Sequence, residues 1–204
     1  SDAGRWGSDF CTPKEVAELL ALLLNPRSGM SVYDPCFGTA TVLREAFRYV
    51  TRTTEEKGQL FLYGQEINQE LLSIGKMNLI VNGAYNTDLR LGNTLKDPSH
   101  VTQDGLTKFD RVVSTPPFGA SLRGVNLEDD EHARFRYGIP PVGSADFAFV
   151  QHMIATLKPD GVMAIVVPHG VLYRGNREGR IRQAILEDDL IEAVIGLPPA
   201  LFYG

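Results

Sequence analysis

The chain has little cysteine, no long apolar run and no surplus of positive charge, and each shortage removes a class of function. Its two cysteines, Cys11 and Cys36, have neither metal-ligand spacing nor a paired framework, so no metal is expected and a reducing cytosolic setting is. No apolar stretch reaches the roughly 18 residues of a membrane span and no signal-peptide pattern is present, which predicts a soluble, cytoplasmic protein with no membrane partner. The balance of 20 Lys and Arg against 25 Asp and Glu, a net −5, argues against a free-standing nucleic-acid binder held by bulk charge, although a local basic face or a basic partner would restore one. G-x-G-x-x-G and the G-K-[ST] of a phosphate-binding loop are both missing, which disfavours a dinucleotide or ATP. Repeats and low-complexity tracts are absent as well.

What is present is enough apolar material, 43% of 204 residues, for one sizeable α/β core. The stretch around which the chain is organised is Asp110 to Gly119, DRVVSTPPFG. Val112 and Val113 lie in a short apolar run of buried-strand length, and Pro116-Pro117 cannot continue a ladder, so the strand stops there. Each proline fixes its own φ and restricts the residue before it, which presents Thr115, the Pro116 carbonyl and the Phe118 ring rigidly at a strand's carboxyl end. In open α/β sheets ligands bind at such ends. An ordinary strand-to-loop break with a buried Phe reads the same way from these residues alone.

Upstream, Thr12 as N-cap and Pro13 as first helical residue precede Val16, Leu19, Leu20, Leu23 and Leu24 at helical spacing, until Asn25-Pro26 ends the helix. A strand over Ser31 to Tyr33 is broken by Asp34-Pro35, turned at Gly38 and followed by a helical pattern over Thr39 to Val50. That turn brings a helix N-terminus and free backbone N–H groups to the sheet edge, which suits a nucleotide-like cofactor. A second strand, Leu60 to Tyr63, runs into Gly64-Gln65-Glu66. Glu66 stands where one carboxylate can hold a ribose diol, and equally where an acid complements the dipole of the next helix, Asn68 to Val81. A third strand, Asp88 to Leu91, closes in Gly92-Asn93-Thr94. Residues 119–143 form a long loop containing Arg123, Arg134, Arg136 and Tyr137, of a length that is usually functional. Beyond it the pattern predicts a helix over 144–157, strands over 162–167 and 190–195, and a helix over 178–186. The sheet is expected to be parallel with a mixed edge. Arg174, Arg177, Arg180 and Arg182 gather near that last helix and read as a solvated face or, less readily, a nucleic-acid patch.

Taken together, DPCFGTA, GQE, GNTL, TPPFG, SADFAFVQHM and VPHGVLYRGNREGRIR follow one another as in S-adenosylmethionine-dependent amino-methyltransferases. Over essentially the whole chain the sequence resembles the modification (M) subunit of type I restriction-modification systems. The resemblance implies a Rossmann-like methyltransferase fold, a mostly parallel twisted sheet with helices on both faces. It further implies that residues 1–204 are the catalytic domain of a longer subunit, and that S-adenosylmethionine is the cofactor. By the same resemblance Asp9, Phe10, Cys11, Thr12, Pro13, Lys14, Gly38, Thr39, Ala40 and Glu66 match cofactor contacts, with Asp34 and Asn93 at neighbouring strand ends. Thr115, Pro116, Pro117 and Phe118 match a catalytic N-P-P-F whose Asn and first proline carbonyl accept hydrogen bonds from an adenine N6 amino group, while the aromatic ring stacks on the flipped base. The implied partners are DNA and the specificity (S) and restriction (R) subunits, in a hetero-oligomer. Two departures stand out: Thr115 where the family has Asn, and Asn93 where G-D-T-L carries Asp. The first opens the alternative of a cofactor-binding but catalytically impaired DNA-recognition or regulatory subunit. P-P-[FY] sites also serve cytosine N4, RNA and protein glutamine, so those acceptors remain alternatives.

Overall fold

The computed structural model describes residues 12–53 and 59–202. The first helix, α1 (Lys14–Leu24), buries Val16, Ala17, Leu20, Ala21 and Leu24 on one face and ends at Asn25 in the left-handed conformation, whose N–H closes the last turn. Then follow β1 (Ser31–Asp34), α2 (Thr41–Thr53), β2 (Phe61–Glu66), α3 (Gln69–Val81) and β3 (Thr87–Leu91). A small hairpin, β4 (Val101–Thr102) and β5 (Gly105–Leu106), comes before β6 (Phe109–Ser114). The remainder is α4 (Asp146–Ala155), β7 (Leu157–Ile165), α5 (Gly170–Tyr173) and α6 (Asn176–Glu187).

The five long strands pair in parallel in the order β3-β2-β1-β6-β7. Alternation along each strand divides the apolar residues between two covered faces. Val32, Leu62, Leu89 and Val113 meet α1, α2 and α3 on one side. Tyr33, Phe109 and Val112 meet Met153 of α4 on the other. Phe147 and Val150, also of α4, pack on Val171, Ile181 and Ile185 of α5 and α6. This is the doubly covered, Rossmann-like α/β sheet that the sequence implies.

Three expectations change. Residues 190–195 form no strand: they are exposed and, among the described residues, the sheet ends at β7 with every pairing parallel, so no mixed edge is present. An apolar run becomes a strand only where a neighbour supplies the ladder and a face is covered, and Leu190, Ile191, Val194 and Ile195 have neither. The helix cap also moves. Pro13, not Thr12, is the N-cap of α1, its carbonyl accepting from Ala17 N at 3.0 Å, and among the described residues no side chain caps that end. Lastly, the 157–165 strand starts before the expected Val162 because Leu157 pairs with Phe109 across a register shift.

Candidate active site

All five strands of the parallel sheet end on one edge, and the strand order reverses between β1 and β6. A crevice opens at such a reversal. Asp34 closes β1 and Ser114 closes β6, so the two residues flank it. The Ser114 hydroxyl donates to Asp34 Oδ1 at 2.7 Å, the Cys36 N–H donates to the same oxygen at 3.0 Å, and Cys36 Sγ lies 2.8 Å from Ser114 Oγ. Burial lifts the Asp34 carboxyl to about 7, with the Glu66 charge adding to it and the Cys36 and Ser114 hydrogen bonds opposing. Burial, with the Asp34 charge beside it, also pushes the Cys36 thiol well up, which makes it an inert packing group and not a nucleophile.

The turn from Asp34 to Ala40 is shaped from beneath by Phe37. Its ring occupies the space that side chains at Gly64 and Gly75 would fill: a Cβ on Gly64 would stand 2.5 Å from Phe37 Cδ1, and one on Gly75 2.8 Å from Phe37 Cε2. Gly38 adopts φ 55°, and among the described residues nothing lies within 4 Å of where a Cβ would point, so it supplies a left-handed turn. Glu66 locks the turn to the next strand. One carboxylate oxygen accepts from Gly38 N at 2.9 Å and the other from Asn68 N at 2.9 Å. Glu66 thus fixes the entry to α3, where Asn68 provides the cap, and each carboxylate oxygen retains capacity for a further hydrogen bond. A vicinal diol, which donates twice, matches that pair of acceptors.

Asn93 turns its oxygen toward Leu95 N at 3.0 Å and Lys96 N at 3.2 Å, a role an Asp oxygen fills equally well. The adjacent Thr94 hydroxyl donates to Pro35 O at 2.5 Å, tying this loop to the Asp34 turn. Thr39 is half-buried, whereas Ala40 is fully buried at φ 59°. Lys14 is exposed and pairs with Glu18 at 3.4 Å along α1. Asp9, Phe10 and Cys11 lie outside the described residues.

Thr115, Pro116, Pro117 and Phe118 leave the end of β6. Thr115 Oγ1 is 2.6 Å from Thr12 Oγ1, across 103 residues of sequence. Thr12, Thr115, Pro116, Phe118 and Phe202 line one small cavity, and the Phe202 ring meets Phe118 edge-on with centroids 5.3 Å apart.

Several site-supporting residues carry no periodicity and are missed by sequence reasoning. Arg134, expected among the loop's basic residues, is buried: it donates to Thr94 O at 2.8 Å and Leu95 O at 3.0 Å and pairs with Asp130 at 2.6 Å. Its guanidinium also reaches His152 Nδ1 at 3.3 Å, while His152 Nε2 meets the Tyr33 hydroxyl at 3.1 Å. Burial, then the Arg134 charge, holds His152 well below the usual histidine range, so it is a neutral structural link. Gln151 accepts from Tyr137 N at 3.1 Å and donates to Gly138 O at 2.9 Å, and Gln65 secures the 97–99 segment in the same way. Arg174 is likewise engaged, by Asp146 and Glu178, and Arg182 by the Val171 and Arg174 carbonyls, which leaves Arg177 and Arg180 as the exposed members of that cluster.

Comparison with known proteins follows the same line. The sequence matches the N-6 DNA methylase family over residues 1–204. It is 33% identical over 206 residues to the type I restriction enzyme MjaIX methylase subunit of Methanocaldococcus jannaschii, covering 98% of this chain and 36% of that protein. It is 33% identical over 202 residues to the HindI methylase subunit of Haemophilus influenzae, covering 98% and 44%. Among solved structures, the type I restriction-modification methyltransferase subunit of Streptococcus thermophilus superposes with a TM-score of 0.84 at 35% identity, over 95% of this chain and 42% of that one. The chain thus spans 36% and 44% of the lengths of those two curated relatives.

Proposed function

Because the chain belongs to the N-6 DNA methylase family, we propose that it transfers a methyl group from S-adenosylmethionine to the N6 amino group of an adenine flipped out of duplex DNA. In this reading it works as part of a type I methylase subunit, alongside specificity and restriction subunits. The observation that carries the reading is Thr115-Pro116-Pro117-Phe118 at the end of β6, beside the strand reversal and on the same sheet edge as the Gly38 turn and Glu66.

S-adenosylmethionine supplies a methyl carbon made electrophilic by its sulfonium. The adenine amino group is a poor nucleophile, because its lone pair is delocalised into the ring. Thr115 Oγ1 and the Pro116 carbonyl accept one N–H each, which fixes the nitrogen in line and supports the charge it develops. Held this way, the amino nitrogen would be aimed at the methyl group that the bound cofactor supplies, and its surplus N–H proton would pass to water. Phe118 stacks on the base. Glu66 holds the ribose diol, and the backbone of the Gly38 turn lines the cofactor's approach.

A second reading, a cofactor-binding subunit with impaired turnover, is favoured by Thr115 standing where the family pattern has Asn. The deciding experiment incubates the full complex and target DNA with methyl-labelled cofactor and identifies the methylated nucleoside, for the native protein and for Thr115→Asn. N6-methyladenine from the native protein is expected. A gain of about 10² to 10³ on Thr115→Asn supports the second reading, since that is the size of one lost transition-state acceptor. Label in N4-methylcytosine, RNA or protein glutamine overturns the adenine assignment.

A further inference from the structure

The hydroxyls of Thr12 and Thr115 are 2.6 Å apart, and that contact bears on how a threonine does the work of an asparagine. A carboxamide oxygen only accepts, whereas a hydroxyl has one proton and two lone pairs and can present either to an incoming amine. An amine N–H needs the lone pairs. If the Thr115 proton points into the cavity, polarity is wrong and the substrate is repelled; if it is already given to another acceptor, Thr115 Oγ1 behaves as a carbonyl-like acceptor.

Thr12 Oγ1 is an acceptor within reach, although at that contact either hydroxyl can be the donor. The threonine before a helix ordinarily spends its oxygen on backbone N–H groups of the first turn, yet α1 has no side-chain cap and Pro13 stands at its N-cap position. The Thr12 hydroxyl is thereby released to meet Thr115. Both partners are held by rigid neighbours, Pro13 after Thr12 and Pro116 after Thr115, and both line the same small cavity as Phe118. We infer that Thr12 is a positioning residue that accepts a hydrogen bond from the Thr115 hydroxyl, so that the Thr12–Thr115 pair acts as a single acceptor for the substrate amine. The inference rests on the amino-methyltransferase reading above. A donated hydroxyl is also a better acceptor, because hydrogen bonds in a chain polarise one another.

The test is a double-mutant cycle in the full complex, with kcat, KM for DNA and cofactor Kd measured for each protein. Thr12→Val keeps the shape and removes the oxygen; Thr12→Ser restores it. Expected are a fall in kcat of about tenfold or more for Thr12→Val, the size of one hydrogen bond, a cofactor Kd within about twofold of native, and recovery by Thr12→Ser. In the Thr115→Asn background Thr12→Val should cost less than about threefold, since a carboxamide oxygen needs no partner to become an acceptor. Unchanged turnover for Thr12→Val in a native background that methylates adenine overturns the pairing alone. Equal losses in both backgrounds, or a loss that follows cofactor Kd, also overturn it and make Thr12 a cofactor contact. Native protein that transfers no methyl to any amino group overturns the functional reading and the pairing with it.

Discussion

At the scale of single residues the site is governed by what burial does to polar groups. Asp34 is 1% exposed, and its carboxyl is lifted to about 7 by that burial. Between the unfolded value of about 4 and about 7 the native state keeps a proton that the unfolded chain has released, so stability is greatest on the acid side of this window and falls as pH rises through it. Asp34→Asn keeps an oxygen for the Cys36 N–H and the Ser114 hydroxyl and should flatten the slope. Denaturant titrations at pH 5 and pH 8 check this, and native and variant proteins with the same pH dependence would mean that Asp34 stays ionised throughout. Glu66 has a different kind of role, since its oxygens hold two backbone N–H groups before any ligand arrives. Glu66→Ala should weaken S-adenosylmethionine binding by about 1.5 to 3 kcal/mol, roughly 10- to 150-fold in Kd. Calorimetry returning one affinity for both proteins would take Glu66 out of the site. Neither role was legible beforehand in full: position after a strand suggested a ligand for Glu66, but its partners lie 28 residues upstream and two downstream and no local pattern encodes the pair.

Among the elements, the β1–α2 turn is set by Phe37, Gly64 and Gly75, which meet only in the fold. Gly75 sits inside α3 at an ordinary helical position, where Ala for Gly normally stabilises by about 0.5 to 1 kcal/mol. Here the added methyl would come 2.8 Å from the Phe37 ring and 3.1 Å from Gly38 O. Overpacking costs about 1 to 3 kcal/mol, so Gly75→Ala should destabilise, and Phe37→Leu in the same chain should recover part of the loss. A raised denaturation midpoint for Gly75→Ala would show that Phe37 gives way freely. Helices and strands whose apolar residues recur with a period were readable from the sequence: α1, α2, α3 and α6, and the strands ending at Asp34 and Ser114, come within a few residues of expectation. Elements defined by pairing were not. Residues 190–195 have a strand's composition without a strand's neighbour. The β4–β5 hairpin went unread despite Asp104-Gly105, a dipeptide that favours tight turns and was available as a signal. The long loop keeps its expected length, and Arg134 and Gln151 fasten it through contacts that composition does not show.

For the molecule as a whole, the question is how an acidic chain meets a polyanion. Of the basic residues that composition offered as a DNA-facing set, Arg134, Arg174 and Arg182 are committed to internal partners, and Arg136 is paired with Asp188 at 3.3 Å. Arg123, Arg177 and Arg180 remain exposed, while Glu128, Asp129 and Glu131 present negative charge on the same loop as Arg123. Few phosphates can be neutralised by so small a set, and each one released from its counterions contributes about −0.9 to the slope of log K against log salt. Residues 1–204 alone should therefore bind duplex DNA no tighter than about 10⁻⁴ to 10⁻⁶ M at physiological salt, without sequence preference and with a shallow salt dependence. Replacing Arg177 and Arg180 together by Ala should reduce that slope by up to about 2 if both touch phosphates. Fluorescence anisotropy across a salt series measures both quantities. Nanomolar, sequence-selective binding by this chain alone would mean that base readout is built into these residues, and would remove the reason for assigning recognition to a partner subunit.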